Sequence, residues 1–318
     1  MIKLIFSIAT TAALMMAVAP AFAQDANLTS RWGKDDQAGA SNLMTPKKVM
    51  EAMKYMKSGN VIALGRTYEA AMPLFGHRAF ALRGTSGLAG GPVGDNNVIW
   101  MDDFLATEIG QVGTQFDGLG HIGLGGKRNL FYNGLTAEQV VGPTGLSKLG
   151  VEHVKPFFTK GILIDAAANK GAPMNAGDEI TVADIEAALK KQGLTADAIG
   201  EGDVVLFHTG WARHWIKDNK TFNSGAPGIG LEAAAWLVKK GVAIVGSDTW
   251  PVEVVPNPNA KIAFPVHQEL IPKAGIFIHE NVATERLAEA KVYEFAYIYA
   301  PLPIKGGTGS PGNPIAVH

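Results

Sequence analysis

Apolar positions along the chain recur in two rhythms. Between Thr181 and Gln192, Ile185, Ala188 and Leu189 fall on one side of a 3.6-residue period, and Gly193 follows as a stop signal, which predicts a helix. Leu231–Lys240 reads the same way and is closed by Gly241. Thr45-Pro46 opens an earlier helix with a capping residue and Pro at its first position. Val49, Met50, Met53 and Met56 share its packing face, and Gly59 ends it. Pro265 begins a fourth helix that stops near Gly275. The short apolar runs Ile162–Ile164, Val204–Phe207, Val242–Val245 and Ile276–Ile278 read as buried strands between these helices. Strands alternating with helices predict an α/β fold with a mixed, partly parallel central sheet and flanking helices. Extended stretches from Val98 and near Tyr293–Leu302 predict additional antiparallel strands, whereas the Gly-rich residues 76–97 read as a long loop. No Pro/Ser linker and no internal repeat interrupts the chain, so it reads as a single domain.

The first residues stand apart from that pattern. Lys3 precedes an apolar stretch from Leu4 to Val18, and Ala21-Phe-Ala23 supplies an A-x-A cleavage site. Residues 1–23 therefore read as a secretory signal peptide and residues 24–318 as the mature domain, exported to a periplasm and free of the membrane after cleavage. No later stretch approaches the ~20 apolar residues of a membrane span.

Composition removes several chemistries. The 318 residues contain no cysteine, which excludes disulfides, thiolate zinc sites and cysteine nucleophiles. Lys+Arg 28 against Asp+Glu 29, with no block of like charge, argues against a nucleic-acid face. No G-x-x-x-x-G-K-[ST], strand–helix G-x-G-x-x-G, G-x-S-x-G elbow or H-E-x-x-H is present, so nucleotide binding, serine hydrolysis and a zincin site find no motif.

The informative stretch is Gln111-Val-Gly-Thr-Gln-Phe-Asp-Gly-Leu-Gly-His121. In an extended chain Gln111, Gln115 and Asp117 share one face, with Val112 and Phe116 pointing the other way. Gly118 and Gly120 let the chain turn, so that His121 can return beside Asp117. Two amides, a carboxylate and an imidazole then converge at a strand end. Strand parity also sends Glu280 inward behind Ile276 and Ile278, where an unpaired carboxylate costs several kcal/mol. His267 falls in the first turn of the helix begun by Pro265. His208 and Asp248 lie at or just beyond strand ends, and Trp211, Trp250 and Phe116 are candidates to wall an apolar substrate pocket. His77 and Arg83, in the Gly-rich segment, could reach substrate from a lid.

The stretch resembles the H-x-G-T-H-x-D-x-P-x-H signature of the cyclase-type metal-dependent hydrolases, a superfamily that includes kynurenine formamidase, isatin hydrolase and a trans-dienelactone hydrolase. Gly113, Thr114, Asp117 and His121 match it. Three later segments also resemble the family's: Gly202-Asp203 through Thr209-Gly-Trp211, Pro227-Gly-Ile-Gly with Gly246-Ser-Asp248, and His267 through Glu280-Asn281. The resemblance implies a swivelling β/β/α fold, a homo-oligomer, a divalent metal, and second-metal or substrate-site roles for His267 and Glu280. This chain departs from the signature at Gln111 and Gln115, where the family carries two histidine ligands, as in a branch that reads G-T-Q-[FW]-D.

Gln ligates only through its carbonyl oxygen, and oxygen-rich sites favour Mn²⁺ over Zn²⁺. Three arrangements stay open. Gln111, Gln115, Asp117 and His267 hold the ion; or the site has shifted to Asp117, His121, His267 and Glu280; or no ion binds and the amides donate to a substrate carbonyl. The expected activity is metal-dependent hydrolysis of a lactone, cyclic amide or simple amide, a small-molecule substrate, with His121 as general base and Glu280 assisting. Rival readings are a non-catalytic periplasmic binding protein and a metal-free lyase or isomerase on the same scaffold.

Overall fold

The structure is a computed structural model that describes residues 28–84 and 90–318. Residues 1–23, the expected signal peptide, lie outside the described residues. Nine strands form one mixed sheet: β1 (Val61–Ala63), β2 (Gln115–Asp117), β3 (Phe157–Asp165), β4 (Val204–His208), β5 (Ile244–Ser247), β6 (Phe277–Glu280), β7 (Glu294–Tyr299), β8 (Gly309–Pro311) and β9 (Ile315–Val317). Their spatial order is β1-β9-β7-β3-β4-β5-β6-β2-β8. The central four, β3 to β6, run parallel, and the pairings outside them are antiparallel. This is the single-domain α/β architecture that the alternation of strands and helices implies. The parallel strands are buried on both faces and read as continuous Val/Ile/Leu/Phe runs, which is why periodicity alone located them.

The helices α1 (Pro46–Ala52), α2 (Val182–Lys191), α3 (Leu231–Lys240) and α4 (Pro265–Gln268) carry the expected signals. Thr181 caps α2 and forms a capping box with Asp184, and Gly241 ends α3 in the left-handed conformation. Ile185, Ala188 and Leu189 of α2 and Ala233, Ala234 and Leu237 of α3 join the main core with the sheet residues. Two expectations are corrected. The first helix is shorter than Gly59 implied, and Met50 and Met53 are exposed while Ala52 is its buried residue; methionine spacing mimicked a packing stripe. Residues 76–97 are not a plain loop, because Phe80–Gly84 pairs with Asp103–Thr107 and Gly90–Val93 with Val98–Trp100. Among the described residues no helix is long and apolar enough to cross a membrane.

Candidate metal centre

The site forms where β2 is inserted antiparallel beside β6. Glu280 stands opposite Gln115, and Ile278 opposite Asp117, so Gln115, Asp117 and Glu280 project from one face. Phe116 and His279 project from the other. Phe116 is fully buried there, stacked on Phe277 at 4.9 Å and packed against Phe157 and Tyr299. Its expected role in walling a substrate pocket is therefore corrected: the same parity that brings Asp117 to the site carries Phe116 into the core.

Gln111 reaches the face differently from the extended-chain expectation. Its φ is +62°, as is that of Gly113, so residues 111–114 form a turn before β2 begins. Thr114 Oγ1 donates to Asn281 O, and Asn281 Nδ2 donates to Gly113 O, which locks this turn to the end of β6. Gln111 Nε2 donates to Glu280 Oε2 at 2.5 Å, and Gln115 Nε2 donates to the same oxygen. The Gln115 carbonyl accepts the Gln111 backbone N–H at 2.9 Å. Both ends of the Gln115 amide are therefore engaged, its nitrogen anchoring Glu280 and its oxygen holding the Gln111 turn. Gln111 Oε1 is the amide oxygen left buried without a partner.

On the carboxylate side, His267 Nε2 lies 3.3 Å from Glu280 Oε1 and 3.9 Å from Asp117 Oδ2. One ligand atom from each of Asp117, His267 and Glu280 lies within 4.8 Å of the others, and all three residues are buried. Bonds of 2.0–2.2 Å to a common ion set donors roughly 3–4 Å apart, so this triangle has the size of an ion's ligand shell. Asp117 Oδ2 is also buried without a hydrogen-bond partner. Two orphan oxygens, Asp117 Oδ2 and Gln111 Oε1, beside an imidazole nitrogen make a donor set that fits a divalent cation. Three members of the shifted arrangement, Asp117, His267 and Glu280, meet in this triangle, and its fourth, His121, stands beside Asp117. His121 closes it: its backbone N–H turns back to Gly118 O, and its Nε2 stands 3.7 Å from Asp117 Oδ1 with the side chain partly exposed.

The other nitrogen of His267 is held by a residue that the sequence did not flag. Glu253 Oε1 is 2.5 Å from His267 Nδ1 and also accepts the His267 backbone N–H, while Oε2 accepts that of Val266. A carboxylate on Nδ1 fixes the tautomer and aims Nε2 at Asp117 and Glu280. The available signal was a lone acid within the apolar run Val252-Glu-Val-Val255. Burial by itself lowers the His267 pKa, but the hydrogen bonds and charges of Glu253 and Glu280 outweigh it and push it up to about 10. Burial, then the Asp117 charge, raises Glu280 to about 7 against the opposing His267 and Gln115. Four non-glycine residues with left-handed backbones flank these groups: Gln111, Val252, Phe264 and Asn281. Each such residue costs on the order of 1–3 kcal/mol, and their clustering marks a site that the surrounding packing over-determines.

The remaining candidates lie apart. His208 Nδ1 is 3.0 Å from Thr284 Oγ1 and 3.7 Å from Asp248 Oδ2, and among the described residues no hydrogen bond or ion pair joins it to the Asp117 group. Asp248 instead accepts from the Thr209 backbone and hydroxyl, bracing a turn. Trp250 is buried, donates to Gly225 O, stacks on Phe75 at 4.6 Å, and meets Phe264 edge-on. Phe264 in turn packs 5.7 Å from His267, so Trp250 is one ring removed from the site. Trp211 shares the Trp250 cluster, and His77 and Arg83 sit on exposed positions well outside the triangle's hydrogen bonds.

The fold and this centre together define a member of the cyclase family, whose profile matches residues 35–254. The chain belongs to that family. A crystal structure of a novel cyclase superposes with a TM-score of 0.80 at 30% identity, covering 92% of this chain and 99% of that one. Isatin hydrolase A from Ralstonia solanacearum gives 0.61 at 23% identity, covering 86% and 98%. Isatin hydrolase A from Labrenzia aggregata gives 0.60 at 22%, covering 84% and 98%. A comparison with curated protein sequences found no match.

Proposed function

We propose that the chain is an exported, metal-assisted hydrolase that opens a lactone or cyclic amide, or cleaves a simple amide. The observation that carries this reading is the buried Asp117–His267–Glu280 triangle with Asp117 Oδ2 unpartnered and His121 at its open side. Asp117, His267 Nε2 and Glu280 would hold the ion, with the Gln111 carbonyl adjacent. A divalent ion bound there supplies carbonyl polarisation and acidifies water, and the oxygen-rich donor set favours Mn²⁺ over Zn²⁺.

The chain's own residues do the rest. His121, partly exposed and able to accept at Nε2, takes the proton of the attacking water and returns it to the leaving nitrogen or oxygen. Asp117 Oδ1 faces that imidazole 3.7 Å from Nε2 and orients it. Glu253 holds His267 Nδ1 so that Nε2 points inward, and the two glutamine amides hold Glu280 Oε2 so that Oε1 faces His267. Phe264 beside His267, backed by Trp250 and Phe75, supports an apolar ring in the substrate, in keeping with the isatin named for two structural neighbours. Export to a periplasm rests on the Lys3, Leu4–Val18 and Ala21–Ala23 pattern.

Metal analysis of the purified chain, then turnover of lactones and cyclic imides before and after chelation, tests the reading. It expects a stoichiometric divalent ion and chelator-sensitive hydrolysis. Tight ligand binding with neither metal nor turnover would instead establish a binding protein, and chelator-insensitive turnover a metal-free enzyme.

A further inference from the structure

We infer that Arg78 grips a carboxylate on the substrate, so that the centre acts on lactones or amides carrying an anionic group apart from the bond that breaks; this substrate class rests on the hydrolase reading. Two routes join Arg78 to the candidate metal centre. The first is backbone. Arg78 Nε donates to Gly110 O at 2.9 Å. A Cβ built on Gly110 would lie 3.5 Å from Gln115 Oε1 and 3.9 Å from His121 Cε1, so Gly110 borders the centre on its His121 side. The second is a row of rings. The Arg78 guanidinium lies 5.7 Å from the Phe75 ring centroid, Phe75 stacks on Trp250 at 4.6 Å, Trp250 meets Phe264 at 6.1 Å, and Phe264 packs 5.7 Å from His267. An apolar substrate lying along this row, with its scissile bond at the centre, would bring a substituent at its far end toward Arg78.

The guanidinium is held but not spent. Its Nη1 donates to Phe75 O at 2.9 Å, and the neighbouring Leu74 pairs with Val112, so the segment that carries Arg78 is pinned to the turn before β2. Nε and one N–H of Nη1 are engaged. Among the described residues the second N–H of Nη1 and both on Nη2 have no acceptor, and these form the end of the fork that a carboxylate grips with two parallel bonds. Arg78 is only partly buried, so that end can be reached. No acid competes at close range. Glu108 faces Arg78 and His77, but one of its oxygens accepts the Ala79 backbone N–H, and among the described residues no acid comes within the 4.0 Å of an ion pair with Arg78. A guanidinium pre-positioned by two backbone carbonyls loses little freedom on binding, which favours a specific ion pair. A single cation also balances a carboxylate more closely than a phosphate of about −2 charge.

Calorimetric titration of the full mature chain with benzoate, and with benzamide as its neutral counterpart, tests the grip without requiring turnover. Benzoate should bind about 10–100-fold more tightly. Arg78→Gln should erase that preference, and Arg78→Lys, which keeps the charge but not the fork, should restore only part of it. Benzoate held on a bound ion instead would keep its preference in Arg78→Gln and would overturn the inference, as would equal binding of the two probes by the wild type. In the wild type the Arg78 side-chain N–H resonances should shift with benzoate and not with benzamide; resonances that stay in place overturn the inference even if the variants fail to fold. Among lactones and cyclic imides that the chain hydrolyses, carboxylated members should show a lower KM than their parents at similar kcat, the mark of an anchor away from the reacting bond. Arg78→Gln should remove that difference, and parents with the lower KM count against the inference. A chain with neither ion nor turnover would overturn the hydrolase reading and with it the substrate class, whereas equal binding of the probes removes the role of Arg78 alone.

Discussion

Glu280 is held by Gln111, Gln115 and His267, and the Glu253 carboxylate holds His267 from behind. Removing the charge of Glu253 while keeping its shape isolates that second role. In Glu253→Gln the amide cannot act as a charge-assisted acceptor for Nδ1–H, so the imidazole loses its fixed tautomer. Loss of such an outer partner typically weakens metal affinity 10–100-fold. Titration of the metal-free variant with Mn²⁺ should show that loss with the fold intact by circular dichroism; unchanged affinity would remove Glu253 from the site's mechanism. The roles of Asp117 and His121 separate in a similar way. His121→Ala should retain its ion and lose 10²–10⁴ in turnover, while Asp117→Ala should lose the ion and the activity together. The opposite pattern of metal content would reverse the two assignments. Asp117, Gln115 and His121 were legible in the sequence because strand parity and two glycines are local rules. Glu253 was not, because its partner is supplied by a helix 14 residues later, and only tertiary folding brings that helix over the acid.

At the scale of elements, the site depends on seating β2 against β6 in one register. A slip of one residue would present Phe116 to the candidate metal centre and bury Asp117 among Phe157, Phe277 and Tyr299. The turn at 111–114 pins that register. Gly113 has φ +62°, and a Cβ there would lie 2.5 Å from the Tyr68 ring, whose hydroxyl is itself bonded to Thr114 O. Tyr68 therefore cannot swing away freely. Gly113→Ala should destabilise the fold by about 1–3 kcal/mol and weaken Mn²⁺ binding, measured by denaturant unfolding and by titration. A variant with wild-type stability would mean that the turn relaxes without cost. The parallel strands of the sheet were readable because each is a buried apolar run followed or preceded by a capped helix. The ribbons within 76–97 were not readable, since their pairing partners lie beyond the glycines and their exposed apolar residues follow no buried-face alternation.

At the scale of the whole molecule, the N-terminal segment is strapped onto the body around one acid. Asp36 accepts hydrogen bonds from the Tyr132 hydroxyl at 2.7 Å, the Ser30 hydroxyl, the Asn42 amide and the Ala38 backbone. Asn133 adds bonds to Gly33 O, Lys34 O and Asp36 O, and the Ala40 N–H donates to Gly275 O. The strap thus spans contacts about a hundred residues apart in sequence and ends just before α1. Burial raises the Asp36 carboxyl pKa, but its hydrogen bonds prevail and hold it below the ordinary aspartate value of 3.8. A carboxyl whose folded pKa is depressed contributes stability that is fully present above the unfolded pKa and is lost as pH falls through the folded one. Asp36→Asn removes that ionisation but keeps the side chain's size. At pH 7 the variant should be less stable by about 1–3 kcal/mol, the scale of hydrogen bonds to a charged acceptor. As pH drops below about 4 the wild type loses this contribution and the variant does not, so the difference between their unfolding free energies should narrow. Denaturant unfolding of both proteins at a series of pH values measures that difference. A gap that stays constant from pH 7 to pH 3 would show that Asp36 acts through shape and neutral hydrogen bonding, with no part for its charge.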